Sequence, residues 1–169
     1  MKKVIAIASL ALCAALATPV YAADTAADDT ANIALEKLKA DKKYITAQNM
    51  QLTDAEAKGF WPVYDEYQDG LSKLNQRTVA IIKEYADIFN SNSMTDDKAM
   101  KLLNEQLVIE TDELALKKAT VPKLQKVLPG EKVARYMQIE NKLRAIAKFQ
   151  LADKIPLIGD KAQQPDAGK

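Results

Sequence analysis

Residues 52–89 decide the fold, and they read LTDAEAKGFWPVYDEYQDGLSKLNQRTVAIIKEYADIF. Apolar and aromatic side chains recur here at alternating steps of four and three residues, which places them on one face of a helix. The series runs Phe60, Tyr64, Tyr67, Leu71, Leu74, Thr78, Ile81, Tyr85, Ile88. Only the small polar Thr78 interrupts it. The pattern predicts one helix of roughly 54 Å that ends near Phe89.

The segment Leu52–Glu56 marks where this helix begins. Thr53 can act as the N-cap, because its side-chain oxygen can accept from a backbone N–H of the first turn. Glu56 stands three residues later and can reach back to the N–H of Thr53. The two residues therefore predict a capping box.

A second long helix is expected after a short turn. Asn90–Ser93 is rich in turn-forming residues, and Thr95 is the next candidate N-cap. The apolar seam predicted for this helix consists of Met100, Leu103, Leu107, Leu114, Val121, Leu124 and Leu128. Because the turn is short, the two helices are expected to form an antiparallel hairpin.

Shorter helices are expected on both sides of the hairpin. One begins at Thr30 or Asn32 and ends near Gln48, and the other spans about Glu131 to Asp153. The seam predicted for the last helix is Val133, Tyr136, Met137, Ile139, Leu143, Ile146 and Phe149. The run 155–158 is expected to be an extended apolar tail that docks on the bundle. The predicted fold is therefore all-α, a long antiparallel hairpin with flanking helices, about four helices in total.

Two prolines are expected inside the long helices. Pro62 and Pro122 each lack a backbone N–H, so each should bend its helix. Such bends either wrap the helices around a core or give the hairpin a concave face.

The N-terminus has the pattern of a secretory signal peptide. Lys2 and Lys3 precede the apolar run 4–16, and cleavage is expected after Ala22. A lipoprotein signal with Cys13 as the lipidated residue is the rival interpretation. The expected organisation is a cleaved signal peptide (1–22), a flexible leader (23–31), one helical domain (32–158) and a disordered tail (159–169). The processed protein is expected in the periplasm or secreted, with no integral membrane segment.

Composition excludes most enzyme chemistry. The chain has no His, and its one Cys leaves with the signal peptide. Catalytic Ser–His or Cys–His pairs, the usual His-based metal sites and disulfides are therefore not expected. Processing leaves 22 basic and 23 acidic residues, a balance that argues against nucleic-acid binding. The sequence predicts a protein that is not an enzyme and has no cofactor, no metal site and no nucleic-acid partner.

Charge is unevenly distributed along the chain. Residues 54–113 hold thirteen acidic and six basic residues, whereas residues 114–154 hold three acidic and ten basic ones. One interpretation is pairing between neighbouring helices of one chain. The others are an antiparallel homodimer and a basic surface that meets acidic clients.

Two groups of side chains are candidates for a site. The acidic residues Asp65, Glu66, Asp69, Glu110, Asp112 and Glu113 are expected on solvated helix faces, because no metal-binding or catalytic pattern accompanies them. The aromatic residues Phe60, Trp61, Tyr64 and Tyr67 are candidates for a client or partner surface, with core packing as the alternative. Trp61 lies one position off the seam, which makes it the best single candidate for a contact surface.

The helix start at Leu52, Thr53 and Glu56 resembles the L-T-x-x-Q motif of the Spy/CpxP family of periplasmic proteins, with Glu56 in place of Gln. A weaker repeat of this start occurs at Leu128, and aligning Leu52 with Leu128 also aligns Phe60 with Tyr136. The runs 60–67 and 138–143 resemble a group of exported bacterial helical proteins without a known activity.

The resemblance implies a small helical protein that holds unfolding clients without ATP or acts as an envelope-stress accessory protein, and that can form a homodimer. The metal-binding branch of the family relies on His or Met-rich ligands, and this chain has no His and only scattered Met. The alternative function is a structural or protein–protein interaction module of the cell envelope without chaperone activity.

Overall fold

Four helices make up most of the described chain. A computed structural model describes residues 40–159, of which 84% are helical, and contains no strand in that range. The helices are α1 (40–50), α2 (Asp54–Asn90), α3 (Asp96–Gln125) and α4 (Gly130–Ala152). The all-α prediction is confirmed. The signal peptide, the leader, the start of α1 and residues 160–169 lie outside the described residues.

The chain divides into two compact units between Gln51 and Leu52. The division falls within the range 32–158 that the sequence assigns to one domain. Gln51 has a φ of 46°, a left-handed conformation that ends α1 just beyond the predicted position. In α1, the Thr46 hydroxyl is buried and donates to the carbonyl of Lys42 at 2.9 Å. Helices α2, α3 and α4 form the second unit.

The capping box predicted at the start of α2 is present. The backbone N–H of Thr53 donates to Glu56 Oε2 at 2.8 Å, and the N–H of Glu56 donates to Thr53 Oγ1 at 3.3 Å. Thr95 caps α3 as expected, since its Oγ1 accepts from the N–H of Lys98 at 3.3 Å. Both long helices therefore begin where their cap residues predict.

Two glycines set the close approach of α2 and α3. A methyl group at Gly59 would lie 2.8 Å from Val127 Cγ1, and one at Gly70 would lie 2.8 Å from Leu116 Cδ2. The two glycines are eleven residues apart, about three helical turns, and so are their partners, in the opposite direction. The predicted antiparallel hairpin is thus confirmed. Its register is fixed at Gly59 and Gly70, where the missing Cβ atoms let α3 approach closely.

Helix α4 runs antiparallel to α3 and parallel to α2. Lys132 and Tyr136 of α4 contact Glu56 and Phe60 of α2, so contacts advance in the same direction along both helices. Between residues 54–90 and 130–152, no pair of Cα atoms lies within 8 Å. Long and aromatic side chains bridge this wider gap.

The predicted seam of α2 is largely correct. Most of its members are buried, while Thr78, Ile81 and Tyr85 are half-buried. The apolar core of the unit consists of Phe60, Tyr64, Tyr67, Leu71, Leu74, Ala86, Ile88, Leu102, Ile109, Leu124, Leu128, Val133 and Tyr136.

The predicted seam of α3 is wrong over its first half. Met100, Leu103, Leu107 and Leu114 each have about half of their surface exposed. The buried positions are Leu102, Ile109, Glu113, Thr120 and Leu124. The helix is rotated away from its leucine series because Glu113 points inward and binds Arg144 of α4.

The predicted seam of α4 holds as far as Leu143, because Met137, Ile139 and Leu143 are half-buried. Val133 and Tyr136 are buried, but Ile146 and Phe149 are exposed, and the third buried residue is the charged Glu140. In the apolar tail, the carbonyl of Pro156 accepts a hydrogen bond from the Tyr85 hydroxyl of α2 at 2.8 Å. Pro62 and Pro122 lie inside α2 and α3 as predicted.

Gly59 and Gly70 are expected to respond differently to substitution by alanine. Gly59→Ala should lower the free energy of unfolding by about 1 kcal/mol, because overpacking against the stiff, β-branched Val127 outweighs the helix propensity of Ala. Gly70→Ala should leave it unchanged or raise it slightly, because its neighbour is the movable end of Leu116. Urea unfolding of the two variants measures the difference, and equal losses would contradict it.

Candidate functional site

The aromatic residues predicted as a client surface lie mostly in the core. The rings of Phe60 and Tyr136 meet edge to face with centroids 5.0 Å apart, and Tyr64 packs beside them with its centroid 6.0 Å from that of Tyr136. Phe60, Tyr64 and Tyr67 are buried, so they belong to the core-packing alternative and offer no surface to a client. They fill the wide gap between α2 and α4.

Trp61 is the member of this group that reaches the surface. Its ring packs edge-on against Phe60 and Tyr64, with centroid separations of 5.0 and 5.3 Å. It is half-buried and adjoins the exposed Pro62. Trp61 alone of the four predicted aromatic residues is therefore accessible to a partner.

The helix-start motif joins two helices. Glu56 Oε2 accepts from the N–H of Thr53 and also from Lys132 Nζ at 2.6 Å. These hydrogen bonds, that of Lys132 first, lower the pKa of Glu56 below its usual value. Lys132 is the counterpart of Glu56 when Leu52 is aligned with Leu128, but α4 itself has no side-chain cap. The motif thus attaches the start of α4 to the start of α2.

A buried charge cluster lies where α3 faces α4. Glu113 accepts a hydrogen bond from Arg144 and forms ion pairs with Lys117 at 2.9 Å and Lys148 at 3.6 Å. Burial alone would raise the pKa of Glu113, but the hydrogen bonds from Arg144 and Lys117 outweigh it and lower the pKa to about 2. The prediction that Glu113 lies on a solvated face is therefore wrong, because three cations compensate its burial.

A second buried carboxylate is held on the α2 side of α4. Gln68 Nε2 donates to Glu140 Oε1 at 2.9 Å and to the Tyr136 hydroxyl at 3.3 Å. Burial, with the nearby charge of Glu140, raises the pKa of Tyr136 and of Tyr67. Both phenols stay protonated at neutral pH, and the Tyr67 hydroxyl has no hydrogen-bond partner among residues 40–159. The Gln68 bridge therefore positions α4 relative to α2.

The acidic and basic halves of the sequence pair within one chain. Ion pairs between helices join Glu56 to Lys132, Glu66 to Lys123, and Glu113 to Arg144 and Lys148. The pairing interpretation of the charge segregation is confirmed for these residues. An antiparallel homodimer stays a prediction.

The surface that sequence reasoning missed is on α3. Met100, Leu103, Leu107 and Leu114 follow each other at helical steps of three, four and seven residues and are all exposed. We name these four residues the α3 stripe. The exposed Glu110 and Lys118 lie near it in sequence and add charge of both signs. Steps of three and four residues are helical on either face, so the sequence of α3 alone does not distinguish this surface from the core side. The buried pairing of Glu113 with Arg144 does.

The described residues contain neither a metal-binding cluster nor a membrane-spanning helix. Within residues 40–159, no group of three His, Cys, Asp or Glu side chains is arranged to hold a metal ion. None of the helices in the same range has the length and apolarity that a membrane crossing requires. In comparisons with known proteins, the chain matches no protein-family model, no curated protein and no solved structure.

The Glu113–Arg144 pair predicts a large effect of removing one partner. Arg144→Met should lower the free energy of unfolding by about 3 kcal/mol, because it leaves a buried carboxylate with incomplete compensation. The double variant Glu113→Leu, Arg144→Met should lose less free energy of unfolding than the single variant Arg144→Met, because no buried charge is left without its partner. Arg77→Met is the matched control, since its pair with Asp112 is exposed and contributes at most about 1 kcal/mol. If Arg77→Met and Arg144→Met lost similar amounts of unfolding free energy, Arg144 would not be needed to stabilise the buried Glu113.

The same carboxylate predicts a pH dependence. The pKa of Glu113 in the folded state lies below its ordinary 4.5, at about 2, so its contribution is complete above 4.5 and is lost as the pH falls to 2. With solvent screening, the loss over this window should be about 1–2 kcal/mol. Urea unfolding followed by Trp61 fluorescence should show a shallower decline for Glu113→Gln than for Glu110→Gln. Identical pH profiles of the two variants would rule this out.

Proposed function

We propose that the protein is an exported, non-enzymatic helical protein that binds unfolding clients through the α3 stripe, as an ATP-independent chaperone or envelope-stress accessory protein. One observation carries the proposal. Met100, Leu103, Leu107 and Leu114 face outward on α3 although the same helix buries Glu113 and Thr120. A helix that exposes leucines and buries charge offers a surface to apolar segments of other proteins.

The strength of such a surface suits transient binding. A fully buried leucine contributes about 1.5–3 kcal/mol, and the half-exposed side chains of the α3 stripe can add only part of that on binding. Four such contacts, offset by the loss of rotational and translational freedom, support weak and reversible association. Weak binding without nucleotide is what a holding chaperone requires.

The sequence supports the cellular setting. The N-terminal pattern of a signal peptide favours the periplasm or secretion, and the helix start Leu52, Thr53 and Glu56 resembles that of a periplasmic stress-protein family. The absence of His from the whole sequence and the loss of Cys13 on processing favour action through a surface without metal or redox chemistry. Trp61 is a second, smaller candidate contact.

The test is suppression of client aggregation by variants of the α3 stripe. The combined variant Leu103→Ser, Leu107→Ser, Leu114→Ser should suppress the aggregation of a reduced or urea-released client about tenfold less effectively, because it removes most of the apolar contact. Val79→Ser is the control, because Val79 is equally exposed but lies on α2. Circular dichroism checks that both variants keep their helices.

Two outcomes would overturn the proposal. One is no suppression by the unsubstituted protein at a few-fold molar excess. The other is equal suppression by the serine variant and the unsubstituted protein. The alternative, a structural or interaction module, predicts one stoichiometric partner in crosslinking from the native envelope, and the chaperone predicts many weak ones.

A further inference from the structure

A second group of exposed apolar side chains lies at the end of α4. Every residue from 145 to 154 is exposed, so the last turns of the helix extend beyond the buried layer that ends at Leu143 and Arg144. Phe149 is 74% exposed, and Leu157 in the following turn is 75% exposed. We name this region the α4 end, comprising Ile146, Phe149, Leu151, Leu157 and Ile158.

The turn that follows α4 is held in place. Tyr85 of α2 donates its hydroxyl hydrogen bond to the carbonyl of Pro156, and the ring of Phe89 packs against Tyr85 with centroids 5.9 Å apart. Leu157 and Ile158 therefore emerge from a point attached to α2, and both remain exposed. The apolar side chains of the α4 end are presented by a supported turn and a helix.

The charged residues within the α4 end and the preceding turn of its helix have one dominant sign. Residues 142–159 contain four basic residues and one acidic residue, Asp153. Arg144 is partly buried in its pair with Glu113, but Lys142, Lys148 and Lys154 are exposed. The α3 stripe differs in sign, because residues 100–114 contain four acidic residues and one basic residue, Lys101.

We propose that the α4 end binds the surface of an anionic phospholipid bilayer. Phenylalanine and aliphatic side chains beside lysines are the composition of helices that lie in the headgroup region without crossing the bilayer. Ile146 and Phe149, which share one face of α4, would enter the boundary between headgroups and acyl chains together with Leu157 and Ile158. The exposed Lys142 and Lys154 would neutralise lipid phosphates. This surface is on a different helix from the α3 stripe, so the proposal does not rest on client binding.

The positive charge favours lipid over an apolar protein segment. A surface for unfolded clients gains little from a single sign of charge, because clients differ in their own charge. An anionic membrane attracts every nearby lysine, each by roughly 1 kcal/mol at low salt. The binding should therefore weaken as salt is raised.

The experiment is flotation of the protein with lipid vesicles. The exported protein, without residues 1–22, is mixed with vesicles of phosphatidylcholine alone or with about one third phosphatidylglycerol. We expect at least tenfold stronger binding to the anionic vesicles and a decrease between low and physiological salt. Removing residues 1–22 ensures that the apolar run 4–16 does not bind the lipid itself.

Two variants of the α4 end separate its components. Phe149→Ser with Leu157→Ser should weaken binding to the anionic vesicles about tenfold or more, through lost apolar burial. Lys142→Gln with Lys154→Gln should weaken it about fivefold or more and flatten the salt dependence. All four side chains are exposed, so both variants should keep the helical circular dichroism of the unsubstituted protein. The serine variant of the α3 stripe is the control and should float unchanged.

Two results would overturn the inference. The first is no preference for anionic over neutral vesicles, and the second is unchanged flotation of the Phe149, Leu157 variant. If that variant keeps its flotation and also loses client suppression, the α4 end is assigned to proteins instead of lipid. Failure of client suppression by the unsubstituted protein, with flotation intact, would reject only the proposed function.

Discussion

The buried carboxylate of Glu113 fixes the rotation of α3 about its axis. A carboxylate that is removed from water without partners costs several kcal/mol, so α3 must turn until Glu113 reaches Arg144 of α4. Lys117, one turn further along α3 itself, adds a second cation. Leu107 and Leu114, on the same helix, then face away from α4 and α2. An alternative rotation that buried the leucines would expose Glu113 but would separate it from Arg144. One ion-paired residue thus determines which side of α3 is apolar core and which is surface.

Large side chains in the interface set the distance between α4 and α2. Phe60 and Tyr136 keep the two backbones at a distance, and the amide of Gln68 spans the remaining space to Glu140. The α2–α3 contact is the opposite case, because Gly59 and Gly70 bring the backbones together. Close packing on one side and long polar and aromatic bridges on the other give a three-helix unit held by geometry and charge as much as by apolar burial.

Local signals in the sequence were enough for the helices but not for their faces. Thr53, Glu56 and Thr95 act within one turn of chain, so their caps could be predicted, and so could the seam of α2. The face of α3 depends on Arg144, which lies 31 residues beyond Glu113, and no pattern within α3 contains that information. The aromatic residues of α2 were predicted both as core and as surface for the same reason, since the periodicity of a helix does not say what covers it. The exposure of the α3 stripe and of the α4 end depends on how all three helices pack, so it could not be predicted from the sequence of any one helix.

The double use of Glu56 has a consequence for how the protein opens. Its carboxylate both closes the first turn of α2 and holds Lys132 of α4, so neither contact can be lost without weakening the other. Fraying at the start of α2 and undocking of α4 are therefore thermodynamically coupled events. Amide protons in the first turn of α2 would exchange with solvent at a rate that reports the detachment of a helix 76 residues further along the chain. The short helix-start motif therefore caps α2 and also holds the start of α4 against it.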